Sequence, residues 1–287
     1  MKEQTWDERP LVFGCEGDRL IGIAAIPENL IETGVVIVVG GPQYRAGSHR
    51  QFTLLARYLA GENIASFRFD YRGMGDSEGD MRNFEVVDAD IHAAVDTFLK
   101  HTPGVSKVVL WGLCDAASAA LFYGHTDTRV TGLILLNPWV HSEAGAARVM
   151  LKSYYFSRLK QRSFWKNLLG GEVKLMASMK DGLRFLLSAL GRQKSRNFTD
   201  ESTPSDFICL MRGGFRDFSG KILFILSEND FTTREFQELC VTHHDWKNLF
   251  ERPWVNCYLI KSANHTFASA IWRDEVSILT QRWLIGT

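Results

Sequence analysis

A chain of 287 residues, 45% apolar and 23% charged, is long enough to bury a substantial core. Its 33 basic and 33 acidic residues balance, so no positive field points to nucleic acid as a partner. Cys15, Cys114, Cys209, Cys240 and Cys257 are widely spaced and form no C-x-x-C pair, which argues against a disulfide framework or a structural zinc. That usage fits a reducing cytoplasm. The first nine residues carry no apolar signal core, and no run is long and apolar enough for a membrane span.

Leu11 to Phe13 and Leu20 to Ile26 flank a polar, glycine-containing run, which predicts an N-terminal hairpin. Val35 to Val39 predicts a strand buried on both faces. Phe52 to Leu59 fits a helix and Ile64 to Phe69 the next strand. Val87, Ile91, Ala94, Val95 and Phe98 form a helical stripe within 84–99. Val108 to Trp111 is a strand, followed by a small-residue helix and a strand over 130–136. This alternation predicts a mostly parallel sheet with helices on both faces. The loop Gly40-Gly41-Pro42-Gln43 lacks the dinucleotide-binding glycine spacing, and no cofactor is expected.

The pattern breaks at Pro138. Residues 140–219 hold helical segments and no obvious buried strand, so they predict a helical cap inserted after the sixth core strand. Residues 1–139 and 220–287 would then form the core. Strands resume at Ile222 to Leu226 and Val255 to Ile260. A helix striped by Ile271, Trp272, Val276, Leu279 and Trp283 ends the chain.

The chemistry gathers at strand ends. In Gly112-Leu113-Cys114-Asp115-Ala116 a strand runs into a helix, with small residues two before and two after Cys114. This is the layout of a nucleophile elbow, with cysteine where serine is usual and alanine for the second glycine. The competing reading is a buried core cysteine. The Asp115 N–H would be one oxyanion donor. Asp230 follows the strand 222–226 and is the candidate acid, with Glu228 as rival; it also suits a helix N-cap. His265 lies in the loop after the strand 255–260 and is the candidate base. The order nucleophile, acid, histidine is that of a hydrolase triad. Arg45 is a candidate clamp for a substrate carboxylate or phosphate, or else a solvated or paired arginine. His141 is a candidate pocket residue. Asp70 and Arg72 are expected to brace the loop after the strand 64–69. His243 and His244 are adjacent and cannot share one helix face, so no metal site is expected.

The stretches 38–52, Phe69 to Gly79, Gly112 to Ser118 and Ala263 to Phe267 together resemble the exosortase A system-associated hydrolase 1 family. That family belongs to the serine-aminopeptidase/lysophospholipase-like branch of the α/β-hydrolases. The resemblance implies an α/β-hydrolase fold with a cap, and Cys114, Asp230 and His265 as nucleophile, acid and base. It also implies a link to exopolysaccharide or protein-sorting machinery. Where ordinary relatives have His-Gly, this chain has Gly40-Gly41-Pro42. Proline has no N–H, so the second oxyanion donor would be Gln43, or Gly41 close behind it. The expected activity is cleavage of a small or carrier-linked acyl ester or thioester through a Cys-His-Asp triad and an acyl-enzyme. The alternatives are an acyltransferase acting on an alcohol or amine, and a degenerate scaffold in exopolysaccharide assembly.

Overall fold

The computed structural model describes residues 5–41, 43–140 and 206–286. The chain divides into two compact units, residues 1–141 with 207–287, and residues 142–206. The second unit, where the cap is expected, lies outside the described residues apart from position 206.

Eight strands form one sheet: β1 Trp6–Cys15, β2 Asp18–Pro27, β3 Thr33–Val38, β4 Ser66–Asp70, β5 Lys107–Leu113, β6 Val130–Leu136, β7 Lys221–Ser227 and β8 Val255–Ile260. Their order is β1-β2-β4-β3-β5-β6-β7-β8. The hairpin β1–β2 is antiparallel, and β2 pairs antiparallel with β4. From β4 to β8 every pairing is parallel. The helices are α1 Gln51–Gly61, α2 Asp88–His101, α3 Asp115–Gly124, α4 Asp206–Asp217, α5 Phe231–Thr242, α6 His244–Phe250 and α7 Ala270–Ile285.

Strand periodicity explains the layering. Val36 and Val38 of β3 pack into a core with Ile91 and Phe98 of α2, Leu121 of α3, Phe215 of α4 and Trp246 of α6. Val35 and Ile37, pointing the other way, join Leu55 and Leu59 of α1 and Val276 and Leu284 of α7. A strand apolar at every position must be covered on both faces. Each fully buried side chain of this kind contributes about 1.5–3 kcal/mol. At the far edge, β8 leaves Asn256 to Leu259 exposed.

The boundary of the sheet unit differs from expectation. Helix α4 belongs to that unit, although the sequence reading placed residues 206–217 in the insertion. Its stripe Ile208, Met211 and Phe215 is buried in the sheet's core. An amphipathic helix has the same pattern in a cap as against a sheet; packing alone decides.

Parallel order puts the C-terminal ends of β3 to β8 along one rim, where loops carry the chemistry. The loop after β4 is braced from below, as expected of Asp70 and Arg72. Asp70 accepts the Arg45 N–H at 2.6 Å and the Asp76 N–H at 3.1 Å. Arg72 and Asp90 are both buried and joined by three hydrogen bonds of 2.8–3.0 Å, two through the guanidinium and one from the Arg72 N–H. Asp90→Ala leaves that guanidinium buried with only Glu16 as a partner. It is expected to cost about 3 kcal/mol in urea unfolding. A loss under about 0.5 kcal/mol, the range of an ordinary surface change, would contradict the brace.

Candidate active site

Cys114 stands between β5 and α3 with φ 63° and ψ −124°, a backbone state that L-residues avoid. Neighbours hold it there. Its N–H donates to the Leu136 carbonyl of β6 at 2.9 Å, and its own carbonyl accepts from Ala117 at 3.0 Å and Trp139 at 3.2 Å. Gly112 is required for the tight return of the chain, since a Cβ there would lie 2.6 Å from the Ala116 carbonyl. Ser118 is fully buried and donates its hydroxyl to the Trp139 carbonyl at 2.8 Å. The elbow position is therefore residue 114 itself.

The loop after β8 brings His265 to this point. Its Nδ1 lies 2.9 Å from Asp230 Oδ2, and Cys114 is near enough to act on the imidazole. The three expected residues thus meet at one place, unlike a scaffold with Cys114 buried away from His265. Asp230 is also the N-cap of α5, accepting from the N–H groups of Thr232 at 3.3 Å and Thr233 at 3.1 Å. The cap reading and the acid reading describe the same carboxylate. Glu228 is exposed and takes the Ser262 N–H at 2.8 Å, so the rival acid faces away from the imidazole contact.

The electrostatics follow from this geometry. Burial pushes the Asp230 pKa up, but the His265 hydrogen bond and charge and the Thr233 donors outweigh it and hold the carboxyl below its ordinary value. The hydrogen bond to Asp230 and the interaction with Cys114 raise His265 to about 10 against the opposing effect of burial.

Asn137 is a positioning residue that the sequence reading missed. It is fully buried just past β6, at φ 43°. Its Oδ1 accepts the Ser227 N–H at 2.8 Å and lies 2.8 Å from Thr233 Oγ1. Its Nδ2 donates to the His265 carbonyl at 2.8 Å. One amide therefore ties the end of β6 to the acid loop and the histidine loop. The available signal was an asparagine at a strand end, one of the few non-glycine residues that tolerate a left-handed turn.

Other expected residues are placed differently. The Gln43 N–H, the preferred second oxyanion donor, donates to the Gly41 carbonyl at 2.8 Å. The Gly41 N–H donates to Asp115 Oδ2 at 2.8 Å. Arg45 is not a free substrate clamp: its guanidinium pairs with Asp70 and, at 2.7 Å, with Asp76. Asp70 ends β4 and Asp76 lies in the loop after it, both out of reach of any local pattern around Arg45. His141 and Pro42 lie outside the described residues. Among the described residues, no group of three or more His, Cys, Asp or Glu side chains could hold a metal ion. Among them, too, no helix is long and apolar enough to cross a membrane.

Residues 32–181, a little over half of the chain, match a family model described as serine aminopeptidase, S33. The polyketide transferase grgF of a Penicillium species is 32% identical over 101 residues. That match spans a third of this chain and a third of the relative's length. The esterase Pf2001 of Pyrococcus furiosus superposes with a TM-score of 0.65 at 15% identity, over 99% of this chain and 94% of its own. Est1E of Butyrivibrio proteoclasticus, solved with ferulic acid, gives 0.61 at 12% identity, over 96% and 98%. The fold is the α/β-hydrolase fold, a largely parallel sheet flanked by helices. These matches correct two expectations. They lend no support to the exosortase-associated family or its exopolysaccharide link. The family match also places the chain among serine-based hydrolases, which overturns the reading of the activity as a cysteine enzyme's. One letter, Cys114, had carried that reading.

Two outcomes test the geometry. A group whose pKa rises on folding stabilises the fold fully below its unfolded value and loses that effect as pH climbs through its folded value; a depressed carboxylate does the reverse on the acid side. The stability advantage of the wild type over Asp230→Asn is therefore expected to be full between about pH 4 and 6.5 and to shrink as pH rises to about 10. A difference constant across the alkaline range would contradict the pairing. Asn137→Ala orphans the Ser227 N–H and the His265 carbonyl, and is expected to cost about 1–3 kcal/mol in denaturant unfolding; no loss would refute the tie.

Proposed function

Since the chain belongs to the serine aminopeptidase, S33, family, we propose that it is an esterase-type hydrolase acting on carboxylic esters at a site made by Cys114, Asp230 and His265. The observation that carries this reading is the His265 imidazole, 2.9 Å from Asp230 and near enough to the elbow residue to interact with it. A general base must reach both the group it deprotonates and the carboxylate that orients it.

The steps follow from that contact. Turnover runs through the neutral fraction of His265, which takes the proton of the group that attacks the ester carbonyl. Asp230 stabilises the resulting imidazolium, which is the state that the raised His265 pKa favours. The imidazolium then returns the proton to the departing alcohol. Asp230 keeps the ring oriented throughout, because two backbone N–H groups and the Thr233 hydroxyl fix its own carboxylate. The esterase structures that share the fold support an acyl ester as the substrate class.

The elbow residue is a cysteine where the family's is a serine, and the test exploits that. Hydrolysis of p-nitrophenyl butyrate by the wild type is expected to fall about 10³-fold or more in His265→Ala and in Cys114→Ala. Cys114→Ser, which supplies the family's own residue at the elbow, is expected to retain turnover. Full activity in folded Cys114→Ala or His265→Ala would place the reaction elsewhere.

A further inference from the structure

We infer that the Asp115 carboxylate is an internal occupant of the oxyanion hole, so that turnover requires this side chain to swing out. The inference rests on the esterase reading of the site and concerns its resting state.

An oxyanion hole beside residue 114 needs the N–H that follows the elbow and one from the loop after β3. In this structure one N–H of that loop and one from the first turn of α3, a residue past the elbow donor, converge on one carboxylate. The Gly41 N–H, from the loop after β3, donates to Asp115 Oδ2 at 2.8 Å. The Ala116 N–H, from the first turn of α3, donates to Oδ1 at 2.9 Å. The Asp115 N–H lies next to the same carboxylate and acts on it. Gln43 offers no substitute, because its N–H is closed onto the Gly41 carbonyl.

The cradle is shaped for this anion. A Cβ on Gly40 would run into Asp115 Oδ1 and would also lie 2.8 Å from the Leu113 carbonyl. Glycine at 40 thus leaves the space that the carboxylate fills. A carboxylate resembles the oxyanion of a tetrahedral intermediate in charge and in accepting several N–H bonds. The helix N-terminus stabilises either one. The imidazole of His265 is also near enough to act electrostatically on the Asp115 carboxylate.

A second role is open to the same contacts: Asp115 could simply tie the loop after β3 to α3. The two roles differ in sign. Removing a tie loosens the donors and lowers activity. Removing an occupant frees the donors and raises it.

The experiment compares wild type, Asp115→Asn and Asp115→Ala in p-nitrophenyl butyrate hydrolysis. It also measures inhibition by an alkyl trifluoromethyl ketone, whose adduct carries an oxyanion. Both variants are expected to show kcat/KM raised about 10-fold and ketone inhibition tightened by about the same factor, since a single oxyanion donor is worth at least that much. Unchanged or weaker ketone inhibition in both variants, with melting temperatures like the wild type's, would overturn the proposal. If Asp115→Ala does not fold, Asp115→Asn decides, because it removes the charge and keeps the shape. His265→Ala in the same assay separates the two readings: turnover surviving there overturns the esterase site itself, and its loss leaves the Asp115 comparison as the test of the hole.

Discussion

The hydrogen bond between His265 Nδ1 and Asp230 Oδ2, 2.9 Å long, joins two loops that leave the sheet from neighbouring strands. Neither loop could hold its residue alone. Asp230 is fixed because it caps α5, and a cap aims its carboxylate at a helix start. His265 is fixed because its carbonyl is bound by Asn137. Asn137 in turn reaches the acid loop through Ser227 and Thr233. The contact is therefore the closure of a ring of hydrogen bonds that begins at the end of β6. That strand also receives the Cys114 N–H, so the elbow and the acid–base pair share one anchor.

The strain at the elbow is local, and its support is distributed. A residue at φ 63° and ψ −124° persists only where surrounding contacts over-determine it. Here β6, α3 and the chain at Trp139 all bond its backbone. The bend aims the first N–H groups of α3 toward the loop after β3. The Gly41 and Ala116 N–H groups meet the Asp115 carboxylate. The site joins an acid–base pair poised beside the elbow to donors that are already satisfied.

The fold was legible because its signals are local and repeated. The β-branched run at 35–39 demands cover on both faces, and β6 and β8 begin and end where their apolar runs do. The positions of Cys114, Asp230 and His265 were legible because parallel strands put their loops on one rim. What escaped depends on contacts distant in sequence. Asn137 matters through partners at 227, 233 and 265. Arg45 is taken by acids 25 and 31 positions away. The Asp115 side chain that takes the Gly41 and Ala116 N–H groups is likewise invisible to a pattern of backbone donors alone. The narrower family suggested by the short stretches at 38–52, 69–79, 112–118 and 263–267 gains no support from the match over 32–181.

The central claim is that Asp230 and the elbow hold His265 as a bound, strongly basic imidazole. Its most direct measurement is an NMR pH titration of the His265 ring in the wild type. The account expects a protonated ring through neutral pH, a slowly exchanging Nδ1 proton, and a midpoint near about 10. A ring titrating near about 6.5, the value of a histidine free in water, with fast-exchanging ring protons, would contradict it.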